Sequence, residues 1–331
     1  MFIEPPPQRQ RSLFFAATLI LSFVFAADIC LGQRPSDDDV VRINTDLVVL
    51  DALVIDKKTG HPVRDLKSMD FELLVDDVRQ QITYFSEDQL PLSVVLLLDV
   101  SGSVVPFIEE IGVSARAALE RLKPQDEVAV MAYAEETKLV QGFTKDRQLV
   151  TEKIIDASRV NTIGRGTFFN DAIRSAVSVM EKAANPVSRR VILVVSDNIS
   201  SEHGSDKHLV VDLLESGIVV YGLVVRGAIG KFINMMTVGA MHGLDDYTQA
   251  TGGELIGAKK KEVDARLAEL INHLRARYSM GFKPPETTLD GKLHRIKLKL
   301  SSSTLKRNGT LTVRTRTGYY FRRPDTNVRS N

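Results

Sequence analysis

Asp99, Ser101 and Ser103 stand at alternate positions in Asp99-Val-Ser-Gly-Ser103, directly after the apolar run Leu92-Ser-Val-Val-Leu-Leu-Leu98. Alternate side chains of an extended backbone share one side. A carboxylate and two hydroxyls on that side make an oxygen donor set, which suits a hard cation such as Mg²⁺. The pentapeptide is also ordinary turn material, because Asp, Ser and Gly all favour turns. Two later segments add to it. Gly164-Arg-Gly-Thr167 leads into a helix-like stretch and offers a hydroxyl, and Val191-Ile-Leu-Val-Val-Ser-Asp197 is a second apolar run with a carboxylate at its carboxyl end. Each residue alone reads more simply as a turn or helix cap. Five together at matching strand ends favour a metal site.

Segments so far apart in sequence meet only through the fold. Residues 94–98, 191–196 and 218–225 are near-continuous apolar runs, as in parallel strands buried on both faces. Helical spacing covers Pro106–Leu122, Asp146–Ala157, Asp171–Ala184, Lys207–Ser216 (stopped by Gly217) and Lys260–Tyr278. Glu127–Tyr133 reads as a strand with Lys138–Phe143 as its hairpin partner, and Gly253–Ile256 as a last short strand. The alternation predicts an α/β fold, a doubly wound and mostly parallel sheet over residues 89–278. Such sheets bind ligands outside the carboxyl ends of their strands.

The flanks are β-rich. Leu47–Ile55 reads as a strand, Phe71–Val75 and Gln81–Phe85 as a hairpin turning at Asp76-Asp77, and Leu293–Leu300 and Thr310–Tyr320 as strands, with Asn308-Gly309 as a turn. Each flank is too short for a core of its own. The expectation is that residues 43–88 and 283–322 pair as one small β-sandwich-like module, into which residues 89–278 are inserted.

Asp99-x-Ser101-x-Ser103, Thr167 and Asp197 resemble, in order and context, the metal-ion-dependent adhesion site of von Willebrand factor A (VWFA) domains. The likeness covers about residues 90 to 276. The usual Asp-Gly after the fourth strand is Asp197-Asn198 here, and Asn tolerates the left-handed backbone such a turn needs. The whole chain also resembles secreted bacterial VWFA-related proteins, through Tyr84-Phe-Ser-Glu87 and Thr317-Gly-Tyr-Tyr320. The resemblance implies a divalent cation, Mg²⁺ before Ca²⁺ or Mn²⁺, held by Ser101 and Ser103, with Thr167 joining in one conformation. It also implies that Asp99 and Asp197 act through bound water, and that an acidic side chain of a protein partner completes the octahedral shell.

Composition sets bounds. The 331 residues are 44 % apolar and 26 % charged, as in globular proteins, with a net charge of +1 that points to neither nucleic acid nor a membrane surface as partner. Arg9 and Arg11, the apolar stretch Leu13–Ala26 and small residues near Ala26 and Gly32 predict a signal peptide over residues 1–32 and a secreted, periplasmic or envelope location. That stretch is short of the ~20 residues of a membrane span. Residues 33–42 read as an acidic linker and 323–331 as a basic tail. The single cysteine, Cys30, permits no internal disulfide. His203 and His208 lack the spacing of a zinc helix pair and read as surface residues, and Met235, Met236 and Met241 as packing residues. Three functions remain to compare: a metal-dependent adhesion or protein-binding module without catalysis, a metal-independent scaffold or assembly factor, and a metal-assisted hydrolase. The hydrolase is disfavoured, since Ser101 stands where an Asp-x-Asp phosphohydrolase needs its second acid, and neither Gly-x-Ser-x-Gly nor a Walker loop is present.

Overall fold

Leu92–Asp99 is buried at every position, because helices cover both faces of the sheet that holds it. The computed structural model describes residues 47–320 apart from 88–89, 161–163, 165, 203, 226–242, 286–287 and 289. The expected signal peptide, acidic linker and basic tail therefore lie outside the described residues, as do His203 and the three methionines at 235, 236 and 241.

In chain order, β1 (Val48–Asp56), β2 (Phe71–Val75), β3 (Val78–Gln80) and β4 (Tyr84–Glu87) precede the alternating region. That region runs β5 (Leu92–Asp99), α1 (Val105–Leu119), β6 (Glu127–Tyr133), β7 (Thr137–Thr144), α2 (Arg147–Ala157), α3 (Phe169–Met180), β8 (Arg189–Ser196), α4 (Lys207–Glu215), β9 (Ile218–Val225), α5 (Gly243–Thr251), β10 (Leu255–Ala258) and α6 (Val263–Arg275). β11 (Arg277–Phe282), β12 (Leu293–Leu300), α7 (Ser302–Asn308), β13 (Leu311–Arg314) and β14 (Gly318–Tyr320) follow.

The central sheet has the order β10-β9-β8-β5-β6-β7 and is parallel except for β7. One core lies under α1, α2 and α6, the other under α3, α4 and α5. Caps fix where the helices begin. The Asp146 carboxylate accepts from the amides of Gln148 and Leu149 at 2.9 and 3.0 Å, and Asp206 does the same for His208 at 2.8 Å. From β5 the chain moves one way to β6 and β7, then returns to β8 on the other side of β5. The crevice outside the carboxyl ends of β5 and β8 is thus the topological switch point.

Two antiparallel four-stranded sheets, β13-β1-β11-β4 and β14-β12-β2-β3, draw strands from both flanks. They share a core that includes Leu50, Phe71, Leu73, Tyr278, Met280 and Ile296. Three elements differ from their expected form. The helix expected to reach Tyr278 ends at Arg275, and Arg277–Phe282 is a strand lying between β1 and β4. Leu270, Leu274 and Tyr278 continue helical spacing, which hides the switch to the alternation of Tyr278, Met280 and Phe282 into the module core. The hairpin partner of β2 is Val78–Gln80 rather than 81–85, because Asp76 and Asp77 both take positive φ (47° and 67°) and close a two-residue turn. Residues 84–87 pair with β11 instead. The third difference is at the end of the chain. Gly309, with φ 74°, ends helix α7 rather than a hairpin, and 311–320 divides into two strands of different sheets.

Candidate functional site at the switch point

Asp99 is the last residue of β5 and is fully buried. One of its carboxylate oxygens accepts the Ser101 amide at 2.9 Å, and the other accepts the Ser196 hydroxyl at 2.8 Å. Burial pushes its carboxyl up to about 6, against the hydrogen bonds from Ser101 and Ser196, and the charge of Asp197 raises it further. The Ser101 carbonyl accepts the amides of Val104 and Val105 and so ties the loop to the start of α1.

The hydroxyls of Ser101 and Ser103 lie 3.3 Å apart, and Ser103 donates to Asp197 Oδ2 at 2.8 Å. Asp197 Oδ1 accepts the Ile199 amide at 3.1 Å. Asn198 takes φ 61°, so the left-handed turn expected after Asp197 is kept without a glycine. Its side-chain amide donates to Asp245 on α5 at 3.1 Å. Asp99, Ser101, Ser103 and Asp197 thus form one cluster linked by hydrogen bonds.

Thr167 joins it differently. Its amide donates to Ser201 Oγ at 3.1 Å, and its carbonyl accepts the Ser201 amide at 2.8 Å and the Ser200 hydroxyl at 3.1 Å. These bonds strap the loop before α3 to the loop after β8. Among the described residues, no hydrogen bond joins the Thr167 hydroxyl to the other four residues.

Two neighbours escaped the reading of the sequence. Ser196 is buried at the end of β8, and Tyr133 lies beside Asp99 in the β5–β6 register. Burial holds the Tyr133 hydroxyl well above its ordinary value, and the charge of Asp99 adds to this. The available signal was a single hydroxyl closing an otherwise apolar run, but its partner depends on strand register. His208 is exposed and stands away from this cluster in α4, as expected. Asp245 and Asp246 lie in the first turn of α5.

Among the described residues, neither Asp99 nor Asp197 takes part in an ion pair, and no three His, Cys, Asp or Glu side chains converge as a metal-holding group. The donors at the switch point are two acids and several hydroxyls. This is a hard-oxygen set, and among the described residues no cation offsets the charge of its buried carboxylate.

A doubly wound sheet with an Asp-x-Ser-x-Ser loop at its switch point defines a class of α/β domain that presents its site at the strand ends. Within that class this chain carries a von Willebrand factor type A domain, matched over residues 94–200. The solved structures it resembles include BatB from Bacteroides thetaiotaomicron, at 18% identity and TM-score 0.43, with 56% of this chain and 100% of that chain covered. Another is proximal thread matrix protein 1 from the mussel byssus, described with a zinc-occupied MIDAS motif, at 13% and 0.44, with 57% and 49% covered. The vWF domain of the type V pili tip protein Mfa5 from Porphyromonas gingivalis matches at 11% and 0.38, with 56% and 95% covered. No curated protein matches the chain.

Proposed function

We propose that the chain is a secreted or envelope-associated protein-binding module without catalytic activity, which uses a divalent cation of the Mg²⁺ type to take up an acidic group of a protein partner. The observation that carries this reading is the buried Asp99 carboxylate, linked through Ser196, Ser101, Ser103 and Asp197 but offset by no cation among the described residues. In this reading the hydroxyls of Ser101, Ser103 and Thr167 hold the cation, while Asp99 and Asp197 orient its water. A bound cation supplies positive charge that neutral hydroxyls leave largely unspent, so an external carboxylate completes the shell. The basic–apolar–small pattern of residues 9–32 supports export. No helix among the described residues is long and apolar enough to cross a membrane. Strands from both flanks share their sheets, which supports the insertion expected for residues 89–278, its end drawn back to 276 because β11 belongs to the β module.

Calorimetric titration of the full chain with Mg²⁺, Mn²⁺ and Ca²⁺ tests the site. Saturable binding is expected, weakened about tenfold or more in Ser101→Ala with the unfolding midpoint little changed. If none of the three ions binds, the metal reading fails and the metal-independent scaffold takes its place.

A further inference from the structure

A cleft of about 710 Å³ separates the α5–β10 side of the A domain from β12 and β13 of the β module. Its floor is tied down. Thr317 donates its amide to the Ala250 carbonyl at 2.9 Å, and a Cβ on Gly252 would collide with the Thr315 backbone.

The module wall of this cleft is a half-paired strand. β2 pairs with β12 over residues 296–300, whereas β14 pairs with it only over 293–295. The Ile296 amide still reaches Thr317 on the β14 side at 2.9 Å, while the Arg295 carbonyl accepts from Asp76 on the β2 side. Backbone groups alternate sides along a strand, so the amide and carbonyl of Leu298 aim into the cleft. Among the described residues no strand pairs with them there.

The side chains say what fits. Arg295, Lys297 and Lys299 all project to the exposed face of β12. Asp77 holds Lys297 at 2.5 Å, while Lys299 has no ion pair among the described residues. A second copy of β12 would set cations against cations, which guards an edge against self-pairing. A strand carrying acids at alternate positions meets no such barrier. We propose that this edge is a strand-addition site for an extended segment of another protein, with acidic side chains opposite Lys297 and Lys299 and apolar ones opposite Ile296 and Leu298. The added strand continues the ladder that β14 leaves unfinished. The cleft reaches Asp245, the partner of Asn198, but strand addition at β12 uses none of the switch-point donors and needs no cation.

The probe is a synthetic peptide of alternating Glu and Val, added to the full chain and followed by fluorescence polarisation and by amide hydrogen exchange. The expected result is binding that slows exchange at the Leu298 amide, persists in chelator, and weakens about tenfold in Lys299→Glu, an exposed position whose change leaves the fold intact. Three results would each overturn the proposal. One is a Leu298 amide already protected in the peptide-free chain, which would mean that a segment of the chain itself covers the edge. Another is a concentration-dependent dimer that buries the same amide. The third is equal binding of a Lys-and-Val peptide.

Discussion

The two ends of the central sheet each bury an acid, and they treat it oppositely. At the amino end Asp126 is fully buried. It accepts the amides of Leu92 and Lys123 at 2.8 Å each, and the Arg275 guanidinium approaches both of its oxygens at 3.3 Å. Arg147 closes the same corner by donating to the Asp126 and Lys123 carbonyls. At the carboxyl end Asp99 is buried just as deeply, but its partners are one amide and one hydroxyl. A buried acid matched by cation and amides holds the fold together. A buried acid matched by one amide and one hydroxyl, with no cation among the described residues, keeps its charge available.

The largest test of that difference is to remove each acid. Asp126→Ala leaves Arg275 buried without its carboxylate, and is expected to cost about 3–5 kcal/mol in urea unfolding. Asp99→Asn keeps an oxygen for the Ser101 amide and relieves a buried charge. At pH 7 it should be no less stable than wild type, while abolishing cation binding. Similar losses in both variants would erase the contrast between the two ends.

The next effect is on pH. Between pH about 4 and 6 Asp99 is protonated in the folded chain and ionised in the unfolded one, so the folded state holds the extra proton. Stability therefore declines as pH rises through that window, and remains lowered above it. The rise from 3.8 to about 6 corresponds to on the order of 3 kcal/mol. Wild type minus Asp99→Asn, measured from pH 4 to 7, should show this slope, and Mg²⁺ should oppose it at pH 7. A flat difference would show that the Asp99 charge is already offset.

The smallest effect concerns the turn beside the site. Asn198→Ala should cost about 1 kcal/mol because alanine resists the left-handed backbone, whereas Asn198→Gly should stay within about 0.5 kcal/mol. Unfolding midpoints of the two variants give the comparison. If Asn198→Gly is the worse of the two, the side-chain bond to Asp245 matters more than the backbone.

The central domain was legible because its strands are buried on both faces and read as unbroken apolar runs. The candidate site was legible for a related reason, since Asp99 and Asp197 stand where those runs stop. Ser196 and Tyr133 were not, because their closeness to Asp99 depends on which strands lie side by side. The module was legible only in outline. Its strands are short, and their partners lie across the whole inserted domain, as with Leu50 opposite Met280. β11 was hidden by apolar spacing that helix and strand share at its first residues.

The pairing of β4 with β11 sets the mechanics of the molecule. These strands carry the chain into and out of the alternating region, and Glu87 lies opposite Tyr278. The two passages are therefore zipped side by side at the base of the domain. β1 joins the same sheet next to β11, and β13 next to β1. Tension applied between β1 and β13 runs through their direct pairing and passes the residues between β4 and β11 by. To stretch the loops at the switch point, a pull must first unzip β4 from β11. The site is thus held like a weight hung beside a rope rather than a link within it, and its geometry is insulated from load applied across β1 and β13.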